Sequence, residues 1–505
     1  MKKLVLYRGK KKMMTQRQFE RAVIRAKNKW QNKVMVTIFE NQITLIHKGV
    51  IIAATGSGKT YLQAKMIIRL SEILGGFGVV VVKSPRIQLT QQLTKDIQEI
   101  AGDKIESIMF HSGKGIDLVE EVDQDNEDEV RRAIAQSKAI GATTDREEVR
   151  LKIEECKKLN KLLIIQSTYQ SFDKLCSLFL EDKITIDMIL NDECQYVETF
   201  GHSDCITTLE YFFTAAVTKG NVGGKQMFSG NEGSEVINSD FGVEIYKLTP
   251  SKAIAEGIIT PASYINIQMN DITELEAKEL SHKTIVKSHS ELKKVKKGNA
   301  TNMLVTESGV AQIKALTKPN SELMQWSNKN HRVLTVASTY GTVTDNGENI
   351  SRQEFSERLI KYSKDKSIDL IVIHYDILSE GIDVPSMHGV LFLRNVSTAK
   401  FYQILGRCLR TSFGKDYGYL IVPSYSDDTS MLSAYLEYVE DMFKAGYLPM
   451  DVKHPGGGGS GEFEPNEAQL SHFEVEFRLM VERSKTIEEK LERLVKEYGL
   501  IEELL

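Results

Sequence analysis

The stretch Ile51-Ile52-Ala53-Ala54-Thr55-Gly56-Ser57-Gly58-Lys59-Thr60 joins an apolar run to a glycine-containing turn. The β-branched residues before the turn predict a buried strand, and the apolar spacing from Tyr61 to Leu74 predicts a helix after it. Glycines let backbone N–H groups face an anion, a lysine can reach the outer phosphates, and a threonine hydroxyl can hold Mg²⁺. The stretch therefore predicts a nucleotide phosphate-binding loop, with contacts from Thr55, Gly56, Ser57, Gly58, Lys59 and Thr60.

The loop departs from the usual pattern at one position, because Ala53 stands six residues before the lysine, where a glycine is common. The alternative interpretation is an ordinary glycine turn that opens a helix. The β-branched run directly before Gly-Ser-Gly-Lys-Thr is the context that the phosphate loop requires, and it favours nucleotide binding.

The bulk composition sets the limits of the prediction. The chain has 505 residues, of which 41% are hydrophobic and 27% charged, with a net charge of -4. This length accommodates about three domains at most. The charge balance neither requires nor excludes a polyanionic partner, because nucleic-acid binding depends on where the basic residues lie.

The cysteine count and the hydropathy predict a cytoplasmic protein. No apolar run approaches the roughly 18 residues that a membrane span needs, and the basic start lacks the apolar segment of a secretion signal. The cysteines are odd in number and lack paired metal-ligand spacing, so we expect reduced, buried thiols at Cys156, Cys176, Cys194, Cys205 and Cys408. We expect no membrane partner, and a location in the bacterial cytoplasm, or in the host cytoplasm for a phage protein.

A second chemical centre follows the apolar run Ile186 to Asn191, where Asp192 and Glu193 stand at the predicted end of a strand. Two acids in a loop are usually only solvated. The strand before them and the phosphate loop upstream favour a catalytic interpretation, in which Asp192 shares Mg²⁺ with Thr60 and Glu193 polarises the attacking water.

Short apolar runs alternate with helical patterns along most of the chain, which predicts an α/β fold with parallel sheets flanked by helices. In the second half the candidate strands are Val333 to Ala337, Leu370 to Ile373, Gly389 to Leu393 and Tyr419 to Val422. We predict a basic N-terminal extension at 1–48, a first domain at 49–240, a second domain at 241–428, a helical extension at 429–455 and C-terminal helices at 464–505.

Two segments differ from this rhythm. Residues 112–161 are highly charged and mostly helical in pattern, which predicts a solvated insertion in the first domain, open to a partner-binding role. Residues 456–463 form a glycine-serine run typical of laboratory linkers, so they are predicted to be an engineered junction and 464–505 either native or fused sequence. A protein partner, if there is one, is expected at 112–161 or at the C-terminal helices.

The loops that follow predicted strands carry the remaining candidate side chains. Arg86 follows the strand at 79–82, and Thr168 and Tyr169 follow the strand at 162–165, where such groups suit contacts to a phosphate backbone. Glycine and proline shape a turn with acids at 379–385. The segment from Gln403 to Arg410 has helical spacing that places Gln403, Arg407 and Arg410 on one side.

The ordered set of motifs resembles a superfamily 2 helicase from about Gly49 to Pro423, and its wording is most similar to type I and III restriction translocases and phage branch-migration helicases. The resemblance implies two tandem RecA-like domains, with a helical C-terminal segment after them. It implies ATP and Mg²⁺ as cofactors in the cleft, with nucleic acid across both domains. Residues 192–195 stand at the position of the family's Asp-Glu box.

The same resemblance implies a role for each candidate residue. The expected catalytic residues are Lys59, Asp192, Glu193, Gln403, Arg407 and Arg410, and Gly381 and Asp383 are expected to join the phosphate loop in binding the nucleotide. Nucleic-acid contacts are expected at Arg86, Thr168, Tyr169, Ser338 and Thr339. Gln195 and Thr214 are expected to couple hydrolysis to movement, although Gln195 and Ala216 depart from the commonest family patterns.

The sequence thus favours an ATP-dependent DNA helicase or translocase that acts on single-stranded, duplex or forked DNA. Three alternatives stay open: the motor of a restriction or defence complex, an RNA helicase, and a scaffold that binds nucleic acid and ATP without hydrolysis. Backbone contacts dominate recognition in such motors, so the sequence discriminates poorly between DNA and RNA.

Overall fold

The computed structural model describes residues 3–8, 10–40, 46–84, 105–110, 142–194, 207–215, 221–222, 225–226, 228–229, 236–237, 241–269, 271–296, 300–327, 331–337, 343–375, 387–396 and 398–425. These residues form two compact units, divided between residues 24 and 25 and between residues 249 and 250. We call residues 25–249 the first lobe, and residues 3–24 with 250–375 and 387–425 the second lobe. The acidic block at 120–129, the linker at 456–463 and the predicted helices at 429–455 and 464–505 lie outside the described residues.

The start of the chain is built into both lobes. Strands β1 (Lys3–Tyr7) and β2 (Lys10–Met14) pair antiparallel, and helix α1 (Gln16–Met35) follows, continued by a π-helical turn at Val36–Glu40. In the second lobe the Tyr7 ring packs edge-on against Phe19, which also contacts Phe413. In the first lobe, Trp30 and Val34 of α1 are fully buried. The stretch 1–48, predicted as a basic extension, thus supplies core side chains to each lobe.

The first lobe is organised around an eight-stranded sheet in which every pairing is parallel. The spatial order is β14-β3-β9-β8-β4-β7-β5-β6. In chain order its elements are β3 (Lys48–Ala53), α2 (Lys59–Leu74), β4 (Gly78–Ser84), β5 (Ile105–Phe110), β6 (Ala142–Thr143), α3 (Arg146–Leu159), β7 (Leu162–Thr168), α4 (Tyr169–Glu181), β8 (Ile186–Asn191), β9 (Thr207–Thr214) and β14 (Val243–Leu248). Two short hairpins precede β14, formed by β10 (Asn221–Val222) with β11 (Lys225–Gln226) and by β12 (Phe228–Ser229) with β13 (Val236–Ile237).

Two boundaries in this lobe differ from the sequence-based expectation. Helix α3 lies within the predicted solvated insertion, yet Val149, Ile153 and Cys156 are buried in the core beside β7 and α4. Its many Glu and Lys residues hid this apolar stripe, which has the i, i+4, i+7 spacing of a packed helix. Strand β14, expected at the start of the second domain, pairs with β3 in the first sheet.

The second lobe contains another eight-stranded sheet, with the order β15-β22-β21-β16-β20-β17-β18-β19. The first six strands pair in parallel, and β18 and β19 add an antiparallel edge. Its elements are α5 (Pro250–Ala255), β15 (Ala262–Met269), α6 (Glu274–Glu279), α7 (Ser281–Lys296), β16 (Asn302–Thr306), α8 (Val310–Leu316), α9 (Glu322–Trp326), β17 (His331–Val336), β18 (Val343–Asp345), β19 (Glu348–Asn349), α10 (Arg352–Lys364), β20 (Asp369–His374), β21 (Gly389–Phe392), α11 (Thr398–Cys408) and β22 (Gly418–Tyr425).

The predicted fold class is confirmed, because two predominantly parallel sheets, each flanked by helices, follow one another along the chain. All four strands expected in the second half form, as β17, β20, β21 and β22. Cys156, Cys194 and Cys408 are buried thiols as expected, whereas Cys176 is disulfide-bonded, so the expectation of reduced thiols is wrong there. Across the described ranges, no helix is both long and apolar enough to span a bilayer.

Several histidines of the second lobe are buried as neutral rings near the amino ends of its strands. His388 lies just before β21, and its Nδ1 accepts a hydrogen bond from the Asn302 backbone N–H at 2.9 Å. Burial, together with the nearby Lys296 and Lys415, lowers the pKa of His388 to about 2. Burial likewise lowers the pKa of His289 to about 4, against the attraction of Asp369.

We expect the second lobe to lose stability as the pH falls below about 6.5, because the unfolded histidines take up protons there and the folded ones do not. His388→Asn keeps an acceptor near the position of Nδ1 but cannot titrate. In this variant the free energy of unfolding should fall less steeply with decreasing pH, by up to about 1.4 kcal/mol per pH unit between pH 6.5 and 4.5.

Thermal unfolding midpoints measured at intervals from pH 8 to 4.5 would check this expectation. His47→Asn is the matched control, since that ring is exposed and lies in the first lobe. Equal acid sensitivity of His388→Asn and the unmodified protein would show that His388 does not carry the effect.

Candidate functional site

The phosphate loop and the acid pair lie at the same edge of the first sheet. Strand β3 ends at Ala53 just before the loop, and β8 ends at Asn191 just before Asp192. The strands run in parallel, so their carboxyl ends share one edge, where ligands bind in open α/β sheets. Topology therefore brings together two motifs that are more than 130 residues apart in sequence.

The loop turns sharply through two left-handed glycines. Gly56 has φ 81° and Gly58 has φ 95°, conformations that L side chains rarely adopt. The Ser57 N–H donates to the Ala54 carbonyl at 3.1 Å, which closes the turn. Gly58 caps α2 without a side-chain hydrogen bond, so the first N–H groups of this 16-residue helix have no capping side chain. Such a helix end favours an anionic ligand.

Lys59 is almost fully buried and points back along its own loop. Its Nζ donates to the Ala53 carbonyl at 3.2 Å and lies 3.8 Å from Oε1 of Glu193. The contact at residue 53 is made by the main chain, so an alanine serves there as well as a glycine. The structure thus brings together Lys59 and Glu193, as the sequence predicted for one site.

Asp192 is buried at the end of β8, and its carboxyl has an unusual proton affinity. Burial, with the negative charge of Glu193, raises the pKa of Asp192 to about 7, against the opposing effects of Lys59 and of a hydrogen bond from Gln63. That bond runs from Gln63 Nε2 to Asp192 Oδ1 at 2.7 Å. A bound divalent cation would favour the ionised carboxylate, which is the form that ligates metals.

Gln63 is a site residue that the sequence reasoning missed. It is fully buried on α2, four residues after Lys59, so both side chains lie on the same face of the helix. That spacing was a usable signal, because a polar residue one turn after the loop lysine faces the same site.

Glu193 carries backbone strain, with φ 46° in the left-handed region. For a residue other than glycine this conformation costs on the order of 1 kcal/mol and clusters at functional sites. The side chain is 16% exposed, so it is accessible beside Lys59.

Thr168 and Tyr169, expected to contact nucleic acid, are both buried and make internal hydrogen bonds. Thr168 caps α4 by accepting from the Ser171 N–H, and its hydroxyl donates to the Ser171 hydroxyl. The Tyr169 hydroxyl donates to the Asp192 carbonyl at 2.6 Å. The segment after β7 is thereby tied to the loop that carries the acids, and a direct nucleic-acid contact stays a prediction.

Buried hydroxyls of the loop fit a nucleotide with its Mg²⁺. Thr55 Oγ1 and Ser57 Oγ are inaccessible to solvent and have no hydrogen-bond partner within the described part of the chain. Buried polar groups are normally paired, so hydroxyls held in this way suit phosphate oxygens. Thr60 is the second residue of α2, and with Asp192 it would hold the metal. Among the described residues, no cluster of three His, Cys, Asp or Glu side chains forms a separate metal site.

The second lobe places its candidate arginines on two different segments. Gln403 and Arg407 lie four residues apart on α11, but the helix ends at Cys408 and Arg410 is beyond it. An antiparallel bridge to Ile259 holds Arg410, and Lys415 Nζ donates to its carbonyl at 3.2 Å. The expectation that all three share one helical side is therefore wrong for Arg410. The Gln403 Oε1 is buried without a hydrogen-bond partner among the described residues.

Several predicted site residues lie outside the described residues: Arg86, Gln195, Ser338, Thr339, Gly381 and Asp383. Thr214 is described, and it is buried at the carboxyl end of β9, the strand between β3 and β8. Its coupling role stays a prediction.

Residues 16–213 match the family model described as type III restriction enzyme, res subunit, which covers less than half of the chain. None of the curated proteins matches the sequence.

Two solved structures share the fold. The ATP-dependent Type ISP restriction-modification enzyme LlaBIII bound to DNA is 18% identical over 92% of this chain and 35% of its own, with a TM-score of 0.57. A nuclease-deletion mutant of the Type ISP enzyme LlaGI, in complex with a DNA substrate mimic, is 17% identical over 83% of this chain and 28% of its own, with a TM-score of 0.50. This chain thus spans about a third of the length of these enzymes.

The sequence motifs, the match of residues 16–213 and the two tandem RecA-like lobes agree with one another. Residues 16–213 thus resemble the res subunits of type III restriction enzymes, and the two tandem lobes share the fold of the two Type ISP enzymes.

Proposed function

We propose that the chain is a nucleic-acid-dependent ATPase, a DNA helicase or translocase that couples ATP hydrolysis to movement on, or remodelling of, duplex or branched DNA. The observation that carries this proposal is the convergence of Lys59, Asp192 and Glu193 at the mouth of a loop with buried, unpartnered hydroxyls. DNA is favoured as the partner because the similar enzymes LlaBIII and LlaGI were solved with DNA or a DNA mimic.

The first lobe supplies the binding and water-activating groups. ATP with Mg²⁺, when bound, supplies the phosphoryl group that is transferred to water. Lys59 would leave the Ala53 carbonyl and Glu193 to neutralise phosphate charge, and Thr60 and Asp192 would hold the metal. Glu193, freed from Lys59, orients the attacking water.

In this proposal the second lobe supplies positive charge at the point where negative charge develops in the transition state. In this proposal Arg407 and Arg410 approach the γ-phosphate, and Gln403 positions the water or the phosphate beside them. Arginines in this role are worth about 10³ to 10⁵ in rate where they act in trans. Hydrolysis then requires both lobes, which is the physical basis for coupling it to movement along a strand.

A second candidate is the motor of a restriction or defence complex, and the match of residues 16–213 to the Res family favours it. The two candidates share one ATPase mechanism and differ in what the motor serves. A nuclease associated with this chain would distinguish the second candidate from a free-standing helicase.

The test of the proposed function is the rate of ATP hydrolysis with and without nucleic acid. Single-stranded DNA, duplex DNA, forked DNA and single-stranded RNA should be compared at equal nucleotide concentration. We expect DNA to raise the rate at least tenfold. ATP binding without stimulation by any nucleic acid would favour a scaffold. Stronger stimulation by RNA than by DNA would show that RNA is the partner.

Lys59→Ala should abolish ATP binding and hydrolysis, because Lys59 provides the positive charge of the loop at residues 54–60. Glu193→Gln should keep ATP binding but reduce hydrolysis by about a hundredfold or more, because the amide cannot accept a proton from water. Equilibrium binding and steady-state hydrolysis would separate the two effects. Normal turnover by either variant would refute the assignment of that residue.

Gln63→Met should weaken the use of Mg²⁺, because it removes the donor that lowers the pKa of Asp192 and orients its carboxylate. Loss of such a supporting bond typically costs about 10 to 100-fold in metal affinity or activity. The measurement is the Mg²⁺ concentration that half-saturates hydrolysis, and the shift should grow as the pH falls from 8 to 7. Arg69→Met, on the exposed side of α2, is the control and should not shift it.

Arg407→Ala and Arg410→Ala should be compared separately, since one arginine is on α11 and the other is beyond its end. For whichever arginine reaches the γ-phosphate, we expect hydrolysis to fall by about 10³ or more with ATP binding nearly unchanged. Unchanged hydrolysis in both variants would remove the second lobe from the mechanism.

A further inference from the structure

Helix α1 contacts the phosphate loop through two adjacent, fully buried side chains. The indole Nε1 of Trp30 donates to the Ser57 carbonyl at 3.2 Å. The amide Nε2 of Gln31 donates to the Gly58 carbonyl at 3.1 Å. Both contacts cross 27 residues of sequence and lie wholly within the first lobe.

These two hydrogen bonds help to orient the neighbouring N–H groups, and the Gly58 carbonyl also accepts from the Leu62 N–H of α2 at 3.2 Å. A trans peptide is planar, so its carbonyl and the N–H of the next residue point in opposite directions. All peptide bonds of the described chain are trans. A Ser57 carbonyl turned toward α1 therefore turns the Gly58 N–H away from it, and the Gly58 carbonyl does the same for the Lys59 N–H. Those are the N–H groups expected to face phosphate.

The contact between α1 and the loop is braced on both sides. The Trp30 ring stacks on Tyr246 of β14, with ring centroids 6.0 Å apart and planes 22° from parallel. One turn away, Lys65 Nζ of α2 donates to Asn28 Oδ1 of α1 at 2.9 Å. A Cβ at Gly58 would lie 3.1 Å from Gln31 Nε2, so the loop fits closely against the helix.

Only one of the two polar atoms of the Gln31 side chain has a hydrogen-bond partner among the described residues. Its Nε2 is paired, but its Oε1 is buried with no hydrogen-bond partner in the described residues. An apolar residue would avoid leaving a buried acceptor unsatisfied. A buried amide is favourable at this position if its N–H donor makes a useful hydrogen bond. The Gln31 donor makes such a bond to the Gly58 carbonyl.

We propose that Trp30 and Gln31 are positioning residues that pre-orient the Gly58 and Lys59 N–H groups toward the phosphates of the nucleotide. This inference rests on the proposed nucleotide binding and adds residues that no loop motif contains. Because they act through the loop backbone, they set the affinity for nucleotide more than the chemistry of the bound complex.

The test uses variants that remove only the donors. Trp30→Phe keeps an aromatic ring against Tyr246 but loses Nε1, and Gln31→Met keeps the length of the side chain but loses Nε2. Val34→Ala is the matched control, because Val34 is fully buried one turn further along the same helix and has no polar group. Thermal unfolding midpoints of all three variants measure any general loss of stability.

Binding of a fluorescent methylanthraniloyl ATP analogue with Mg²⁺ should be measured by anisotropy. We expect Trp30→Phe and Gln31→Met each to raise the Kd about three- to tenfold, and KM for ATP in proportion, with kcat changed less than twofold. Val34→Ala should change Kd less than twofold at an equal or larger loss of stability. A Kd unchanged in both donor variants, or raised equally in Val34→Ala, would overturn the inference while leaving the proposed function intact.

A spectroscopic measurement gives an independent readout. The chain has two tryptophans, so Trp326→Phe leaves Trp30 as the sole indole. Trp326 lies in the second lobe, in contact with His331. In this variant we expect the emission of Trp30 to change on adding ATP with Mg²⁺, and not to change when Lys59→Ala is also present. If the unmodified protein binds no ATP, the proposed function fails and this inference fails with it.

Discussion

The direction of a few peptide N–H groups between β3 and α2 is the constraint on which the candidate site depends. Those groups can face an anion only if the chain turns through the left-handed region, which it does at Gly56 and Gly58. A side chain at Gly58 would be strained by its φ and would also press on Gln31. The loop motif thus specifies a backbone conformation, and the lysine and threonine at its end depend on that conformation for their positions.

The parallel sheet extends this local arrangement to the rest of the lobe. Since all strand ends lie at one edge, Asp192 and Glu193 follow β8 there and the segment after β7 follows beside them. Two hydrogen bonds then join the parts. Gln63 holds the Asp192 carboxylate from the loop side, and Tyr169 holds the Asp192 carbonyl from the side expected to bind nucleic acid. A displacement of the Tyr169 segment would therefore move the main chain of Asp192.

The sequence predicted what is encoded locally and missed what depends on tertiary contacts. The loop, the acid pair and the strands that were predicted have short-range patterns, and the structure contains them, whereas β16, a central strand of the second sheet, was not predicted. The burial of α3 was missed because its charged residues outnumber its apolar stripe of Val149, Ile153 and Cys156. Nothing local marks Trp30 or Gln31, since their partners are carbonyl groups that any residue possesses. The end of α11 before Arg410 is likewise set by a bridge to Ile259.

Lys415 shows how the second lobe stabilises the segment after α11 at an energetic cost. Its side chain is almost fully buried and the ammonium donates to the carbonyls of Met387 and Arg410, and burial lowers the pKa of Lys415 to about 7. A lysine with a depressed pKa opposes folding most strongly below pH 7, where it is charged in both states, and the penalty disappears as the pH approaches 10.5. Near neutral pH the loss of hydration of this ammonium therefore still lowers the stability of the folded lobe. Its two carbonyl contacts hold the chain just beyond the helix that carries Arg407, so the position of Arg410 is set by the lobe's interior and not by the helix.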